Sequence, residues 1–239
     1  MNILVVNDDG IHSKGLHILA RAAAKMGNVW VVVPDMECSG MSHRITVYGV
    51  IDVKAIDIPV DNVKSYSISG TPADCVKIGI NQIMPVKPDI VFSGVNNGLN
   101  IGYDILYSGT VGAAMEALLN GIPAIAFSKS KESDSYDVVE TYLSEIAIDL
   151  SRRYIKKNEI WNVNFPSCNL SDYKGILYNR LPVQVPLNKD HYEAFDLNNG
   201  NFKVNVRGIK NTQAKPGTDL HAVLNNYISV GTVRSSIIS

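Results

Sequence analysis

No stretch of this sequence is apolar for long enough to cross a bilayer. Cysteine is scarce. Cys38, Cys75 and Cys168 are far apart and odd in number, which excludes a zinc pattern or a disulfide framework and points to a reducing, cytoplasmic setting. Each reads as a small core residue. Neither sign of charge dominates: the formal net charge is -1 and no long charged run occurs, so a general binder of nucleic-acid polymers is disfavoured. No Gly-x-Gly-x-x-Gly or Walker-type loop follows the first apolar run, which weakens a plain nucleotide-binding module. No basic leader precedes that run, and it stops at two aspartates, so it reads as a strand and not a signal peptide. What remains is a globular composition, 46% hydrophobic and 19% charged, in 239 residues. That is enough for one good core, or a core plus an excursion.

The periodicity alternates between strand and helix. Residues 3–6 and 29–33 are short buried strands, and Leu16, Leu19, Ala20 and Ala23 stripe a helix over 14–26. Residues 43–69, rich in Val, Ile, Thr and Tyr, suggest a hairpin or edge strands. Thr71-Pro72-Ala73-Asp74 has the residues of a helix start, with Thr71 at the N-cap and Pro72 in the first turn, and the helix is expected to run to about Ile83. A strand at 90–92, a Gly-rich loop, a helix from Thr110 to Asn120, a strand at 124–127, a helix at 136–154 and a strand at 160–164 follow. This order predicts an α/β fold with a doubly wound, mostly parallel sheet. The rhythm breaks after residue 167. Residues 182–217 are polar, with an exposed strand at 202–206; Thr218-Asp219 caps a short helix through Leu224, and 227–233 is a last strand. The expectation is a core over 1–167 and a C-terminal extension over 168–239 whose β-rich arm packs on another copy of the chain. A long surface loop is the alternative.

The chemistry concentrates at Asn7-Asp8-Asp9-Gly10, directly after the first strand. In open α/β sheets ligands sit beyond the carboxyl ends of the strands. Two adjacent carboxylates there repel, and the ionised pair is stable only near a cation. Neighbouring side chains of a strand point to opposite faces, so Asp8 and Asp9 converge on one ion only if the chain turns, which Gly10 permits. An ordinary acidic turn is the competing reading. Three more loops share this rim: 34–42 with Ser39-Gly40, 93–98 with Asn96 and Asn97, and 107–110 with Ser108-Gly109-Thr110. Their oxygen donors suit magnesium, manganese or calcium and not zinc. Ser108-Gly109-Thr110 opens a helix, where free backbone N–H groups can hold a phosphate, or where a hydroxyl merely caps. Asn96 by itself is more often a turn residue than a ligand. His43 and Arg44 are candidates to touch a substrate phosphate or to stay solvated.

The matching segments ILVVNDDG at 3–10, PDMECSGMSHRIT at 34–46, GTPADCV at 70–76, SGVNNGLNIGYDILYSGTVGAAMEA at 93–117, NVNFP at 162–166 and GTDLHAVLNNYISV at 217–230 resemble the SurE family. These are the stationary-phase survival proteins that act as metal-dependent 5'-nucleotidases. The segments run in family order across nearly the whole chain. The resemblance implies a Rossmann-like core and a C-terminal arm used in homodimers or homotetramers. It implies a divalent ion, magnesium or manganese, held by Asp8, Asp9, Ser39 and Asn96. It implies hydrolysis of nucleoside monophosphates, with some members acting on 3'-nucleotides or short polyphosphate. Gly40, His43, Asn97, Ser108, Gly109 and Thr110 are then the substrate-contacting candidates. Three positions depart from the family: Asn97, where a small or basic residue is common, and Ala117 and Asn226, where glycine is usual.

The expected reaction is metal-assisted attack of water on a phosphomonoester, with Asp8 and Asp9 as the catalytic pair. Two rivals stay open. In one, an Asp attacks phosphorus and forms an aspartyl-phosphate, although the usual signature for that is Asp-x-Asp. In the other, the chain is a phosphoacceptor receiver-like signalling domain, which also carries an acidic pair after its first strand. That domain needs an Asp at the end of its third strand, where this chain has Ser93-Gly94.

Overall fold

The computed structural model describes residues 1–197 and 199–238. The strands are β1 (Asn2–Val6), β2 (Asn28–Pro34), β3 (Val53–Ile56), β4 (Val63–Ile68), β5 (Ile90–Asn97), β6 (Ala124–Lys129), β7 (Glu159–Phe165), β8 (Gly175–Arg180), β9 (Asn188–Asp196), β10 (Phe202–Lys210) and β11 (Tyr227–Arg234). The helices are α1 (Lys14–Ala24), α2 (Pro72–Ile78), α3 (Gly109–Leu119), α4 (Asp137–Arg152) and α5 (Asp219–Leu224). A π-turn over Gly79–Ile83 prolongs α2, and a short 3-10 segment covers Gly102–Leu106.

Nine strands form one sheet in the order β3-β4-β2-β1-β5-β6-β7-β11-β8. The six strands from β4 to β7 run parallel. β3 and β11 run antiparallel to their neighbours β4 and β7. β1 lies between β2 and β5, so the chain winds outward from it in both directions. The crevice at the carboxyl ends of β1 and β5 is therefore the topological switch point, where this fold class binds ligands.

Alternation within the strands builds two apolar layers. Ile3, Val5, Val31 and Phe92 pack under α1 and α4. Leu4, Val6, Val32 and Val91 face α2 and α3. The central strands β1, β2 and β6 are buried on both faces, which is why they read as continuous apolar runs. Thr71 caps α2 as expected: its hydroxyl accepts from Asp74 N and the Asp74 carboxylate accepts from Thr71 N, a reciprocal capping box.

One local reading changes. The Gly-rich stretch after residue 92 is not a loop: Ser93 to Asn97 continue β5, with a shift of register against β6 between Ser93 and Asn96. β8, at the sheet edge, gave no alternation to read. β9 and β10 form a separate antiparallel hairpin outside the main sheet. Phe202, Val204 and Val206 stand exposed on one face of it, since alternate residues of a strand share a face.

Candidate active site

β1 ends at Val6 and the chain turns at once. Asn7 Nδ2 donates to Gly10 O at 2.9 Å, and Gly10 takes φ +84, a conformation that is costly for side chains with a Cβ. The turn places both carboxylates on one cleft of about 1270 Å³. Asp8 is buried and Asp9 half-buried. The cleft also takes Ser39 and Gly40 from the loop after β2, Asn96 and Asn97 from the end of β5, and Ser108 from the start of α3. The root of the β9–β10 hairpin, from Pro186 to Asp190, contributes to its lining.

Each acid is held by a different element. The Thr110 hydroxyl of α3 donates to Asp8 Oδ1 at 2.7 Å, and the Asp8 carbonyl accepts from Cys38 N at 2.8 Å. Gly109 lets the helix come this close: a Cβ there would lie 3.1 Å from the Asp8 Cβ and 3.1 Å from its Oδ2. Asp9 Oδ2 accepts from Asn97 N at 3.2 Å and from the Ser13 hydroxyl at 3.4 Å. Asn96 Nδ2 donates to Gly98 O at 2.7 Å, which commits its NH₂ group and leaves the amide oxygen as its lone-pair donor. Ser39 gives its proton to Glu37 Oε1 at 2.6 Å and keeps oxygen lone pairs available.

The electrostatics follow from burial and crowding. Burial, then the Asp9 charge, push Asp8 up to about 7 from the usual carboxylate range, against the pull of the Thr110 hydroxyl. Burial also raises Asp9, and the Glu37 charge adds to it, while the Asn97 N–H, Ser13 and Lys129 oppose. Two neighbouring acids that resist ionisation are what a cation would relieve. Among the described residues no group of three or more His, Cys, Asp or Glu side chains is arranged to hold a metal. The donor set is two carboxylates, a hydroxyl and an amide oxygen, with no nitrogen or sulfur. That chemistry fits a hard dication that keeps part of its water shell.

Not every expected residue reaches the cleft. His43 is turned away: its Nε2 lies 2.8 Å from Glu116 Oε2, and Lys77 joins the same carboxylate at 3.7 Å. The anion at the start of α3 is Asp8 itself, bound by Thr110, so Thr110 and Gly109 shape an acid and do not line the cleft. Ser108 does line it, and its hydroxyl also caps α3 by accepting from Val111 N at 3.1 Å.

Further contributors were not read from the sequence as part of the site. Asn100 N donates to Asn164 Oδ1 at 2.9 Å, and Asn100 O accepts from Asn162 Nδ2 and Asn164 Nδ2, which fixes the chain just beyond β5. Asp219, at the start of α5, accepts from Gly102 N and Val183 N and so joins the 3-10 segment to the chain leading into β9. The Asn-Val-Asn-Phe-Pro run at 162–166 was the available signal for the first of these, since polar residues alternate there inside a buried strand.

A family model described as "Survival protein SurE" matches residues 3–185. The 5'-nucleotidase SurE of Clostridium botulinum (strain 657 / Type Ba4) is 38% identical over 234 residues, covering 96% of this chain and 91% of that protein. The 5'-nucleotidase SurE of Thermosipho africanus is 37% identical over 232 residues, covering 96% and 90%. A crystal structure of the SurE protein from Aquifex aeolicus superposes with a TM-score of 0.86 at 34% identity, covering 100% of this chain and 95% of that one. The family model over residues 3–185, the identity to these relatives along nearly the whole chain and the fold shared with the Aquifex aeolicus protein show that the chain belongs to the SurE family.

Proposed function

We propose that this protein is a divalent-metal-dependent 5'-nucleotidase, a phosphomonoesterase that releases phosphate from nucleoside 5'-monophosphates, with 3'-nucleotides and short polyphosphate as further candidate substrates. The observation that carries the reading is the convergence of Asp8 and Asp9 on a cleft large enough for a nucleotide, with both acids raised by burial. The names of the relatives from Clostridium botulinum and Thermosipho africanus support the substrate class.

Asp8, Asp9, Ser39 and Asn96 are the residues that would hold magnesium or manganese. Bound there, such an ion supplies Lewis-acid polarisation of the phosphoryl group and acidifies water at neutral pH. The chain's own residues do the rest. Thr110 keeps Asp8 aimed at the cleft through its 2.7 Å hydrogen bond. Gly40 N–H and the Ser108 hydroxyl, both from residues that line the cleft, are the candidate donors to phosphate oxygens. Asp9 has one oxygen engaged by Asn97 N and Ser13, which leaves the other for the ion. A carboxylate oxygen of the pair that the ion leaves free would be the acceptor for a proton from water. The receiver-like alternative lacks its acceptor, because β5 carries no Asp from Ile90 to its end at Asn97.

The exposed apolar face of the β9–β10 hairpin supports self-association as a homodimer or homotetramer. A two-stranded ribbon is marginal alone and gains by packing on a second copy. No helix among the described residues is long and apolar enough to cross a membrane. A cytoplasmic location is part of this proposal.

The test is a panel of nucleoside 5'- and 3'-monophosphates, polyphosphate and an aryl phosphate, assayed with magnesium, manganese and chelator. Fastest release from 5'-monophosphates with metal supports the reading. Release from none of the phosphomonoesters under any metal condition would refute it.

A further inference from the structure

β6 ends on a buried lysine. Lys129 is 1% exposed, one of the largest fully buried side chains of the protein. Its Nζ donates to Asn97 Oδ1 at 3.1 Å and to Ser133 O at 2.8 Å, and lies 4.6 Å from the centre of the Tyr136 ring. Lys14 covers the same ring at 4.9 Å, so Tyr136 meets both cations. Among the described residues no carboxylate pairs with Lys129 within ion-pair distance. Burial drives its pKa down and the Lys14 charge adds to that, while the Asp134 and Asp9 carboxylates oppose. A buried cation held by neutral groups is expensive, and packing alone would be served better by an apolar side chain.

The sheet register shows what the lysine touches. Asn97 of β5 sits directly opposite Lys129 of β6. Lys129 holds the side-chain oxygen of Asn97, and the backbone N–H of the same residue donates to Asp9 Oδ2 at 3.2 Å. Asn97 is otherwise exposed, at the end of its strand, with little packing to fix it. One connection therefore runs from a rigid buried position, through Asn97, to the acid at the cleft.

We propose that Lys129 is a positioning residue for Asp9: by gripping the Asn97 amide it fixes the Asn97 N–H on one carboxylate oxygen and presents the other to the cleft. The inference rests on the reading of Asp9 as a holder of the divalent ion. Partners that orient a metal ligand from behind change metal affinity or activity by about 10–100-fold when removed.

The full-length protein, stripped with EDTA, and its Lys129→Met, Asn97→Ala and doubly substituted forms are titrated with Mn²⁺ by calorimetry and assayed for AMP hydrolysis. Each single substitution is expected to weaken Mn²⁺ binding about tenfold and to lower kcat by a similar factor, with KM nearly unchanged. The double substitution should fall no further than the weaker single, because both cut the same connection. A purely structural role would move the melting temperature and leave Mn²⁺ affinity alone. Affinity within about twofold of wild type in the single variants, or losses that multiply in the double, would overturn the proposal. If Lys129→Met fails to fold, Asn97→Ala decides by the same affinity measurement. Wild-type protein that binds Mn²⁺ but hydrolyses no nucleotide would sink the proposed activity, and the binding titration would still judge this inference. Wild-type protein that binds no Mn²⁺ would end both.

Discussion

Replacing Asp8 by Asn is expected to stabilise the metal-free protein while destroying its activity. Asp8 is 3% exposed, and its pKa is pushed from 3.8 to about 7. A carboxyl whose folded-state pKa is raised adds stability below its unfolded value and loses it as pH climbs through the folded one. The sign is therefore a loss between pH 4 and 7, of about 1.4 kcal/mol for each pH unit. Across about pH 5 to 7 that amounts to roughly 3 kcal/mol in the wild type, and none of it in Asp8→Asn. The Asn side chain keeps an oxygen to accept the Thr110 hydroxyl, so the local packing survives. For a chain of this length about 1 kcal/mol moves the melting temperature by about 2–4 °C, so the variant should pull ahead by about 6–12 °C. The assay is thermal unfolding in EDTA at about pH 5 and about pH 8. Saturating Mn²⁺ should then restore the wild type, by about 2.7 kcal/mol at a hundredfold excess over Kd, and leave the variant nearly unmoved. A gap between the two proteins that is the same at both pH values, or a variant less stable at the higher pH, would refute the reasoning.

Thr110→Val keeps the shape of the side chain and removes the hydrogen bond to Asp8; Mn²⁺ affinity should fall about 10–100-fold by calorimetry, and unchanged affinity would remove Thr110 from the account. Gly109→Ala puts a methyl 3.1 Å from the Asp8 Cβ, so unfolding should reveal a loss of about 1–3 kcal/mol together with slower phosphate release. Val204→Glu, on the exposed face of β10, should lower the mass seen by light scattering, and an unaltered mass would exclude that face as the contact between copies.

The parallel sheet was legible because its central strands are buried on both faces and so carry short unbroken apolar runs, such as Ile3 to Val6. The acidic turn was legible because Gly10 announces it. Asn226 is instructive: the resemblance expects glycine there, and the asparagine does take a left-handed φ of +64. β5 misled because Ser93-Gly94 and Asn96-Asn97-Gly98 have the composition of a loop, and only pairing with β6 reveals a strand. Lys129 was not legible at all. A lysine after Ala124-Ile125-Ala126-Phe127-Ser128 reads as the solvated end of a strand, and its burial comes from Asn97, Ser133 and Tyr136, the first of them on a segment with the composition of a loop. His43 failed for the same reason in reverse: its partner Glu116 lies 73 residues away and was read only as part of a helix.

The claim on which the rest depends is that Asp8 and Asp9 together bind a divalent cation. An anomalous difference map from crystals soaked in manganese tests it directly. A peak between the two carboxylates, in contact with Ser39 and Asn96, is the predicted result; a map with no peak beside these acids would contradict it.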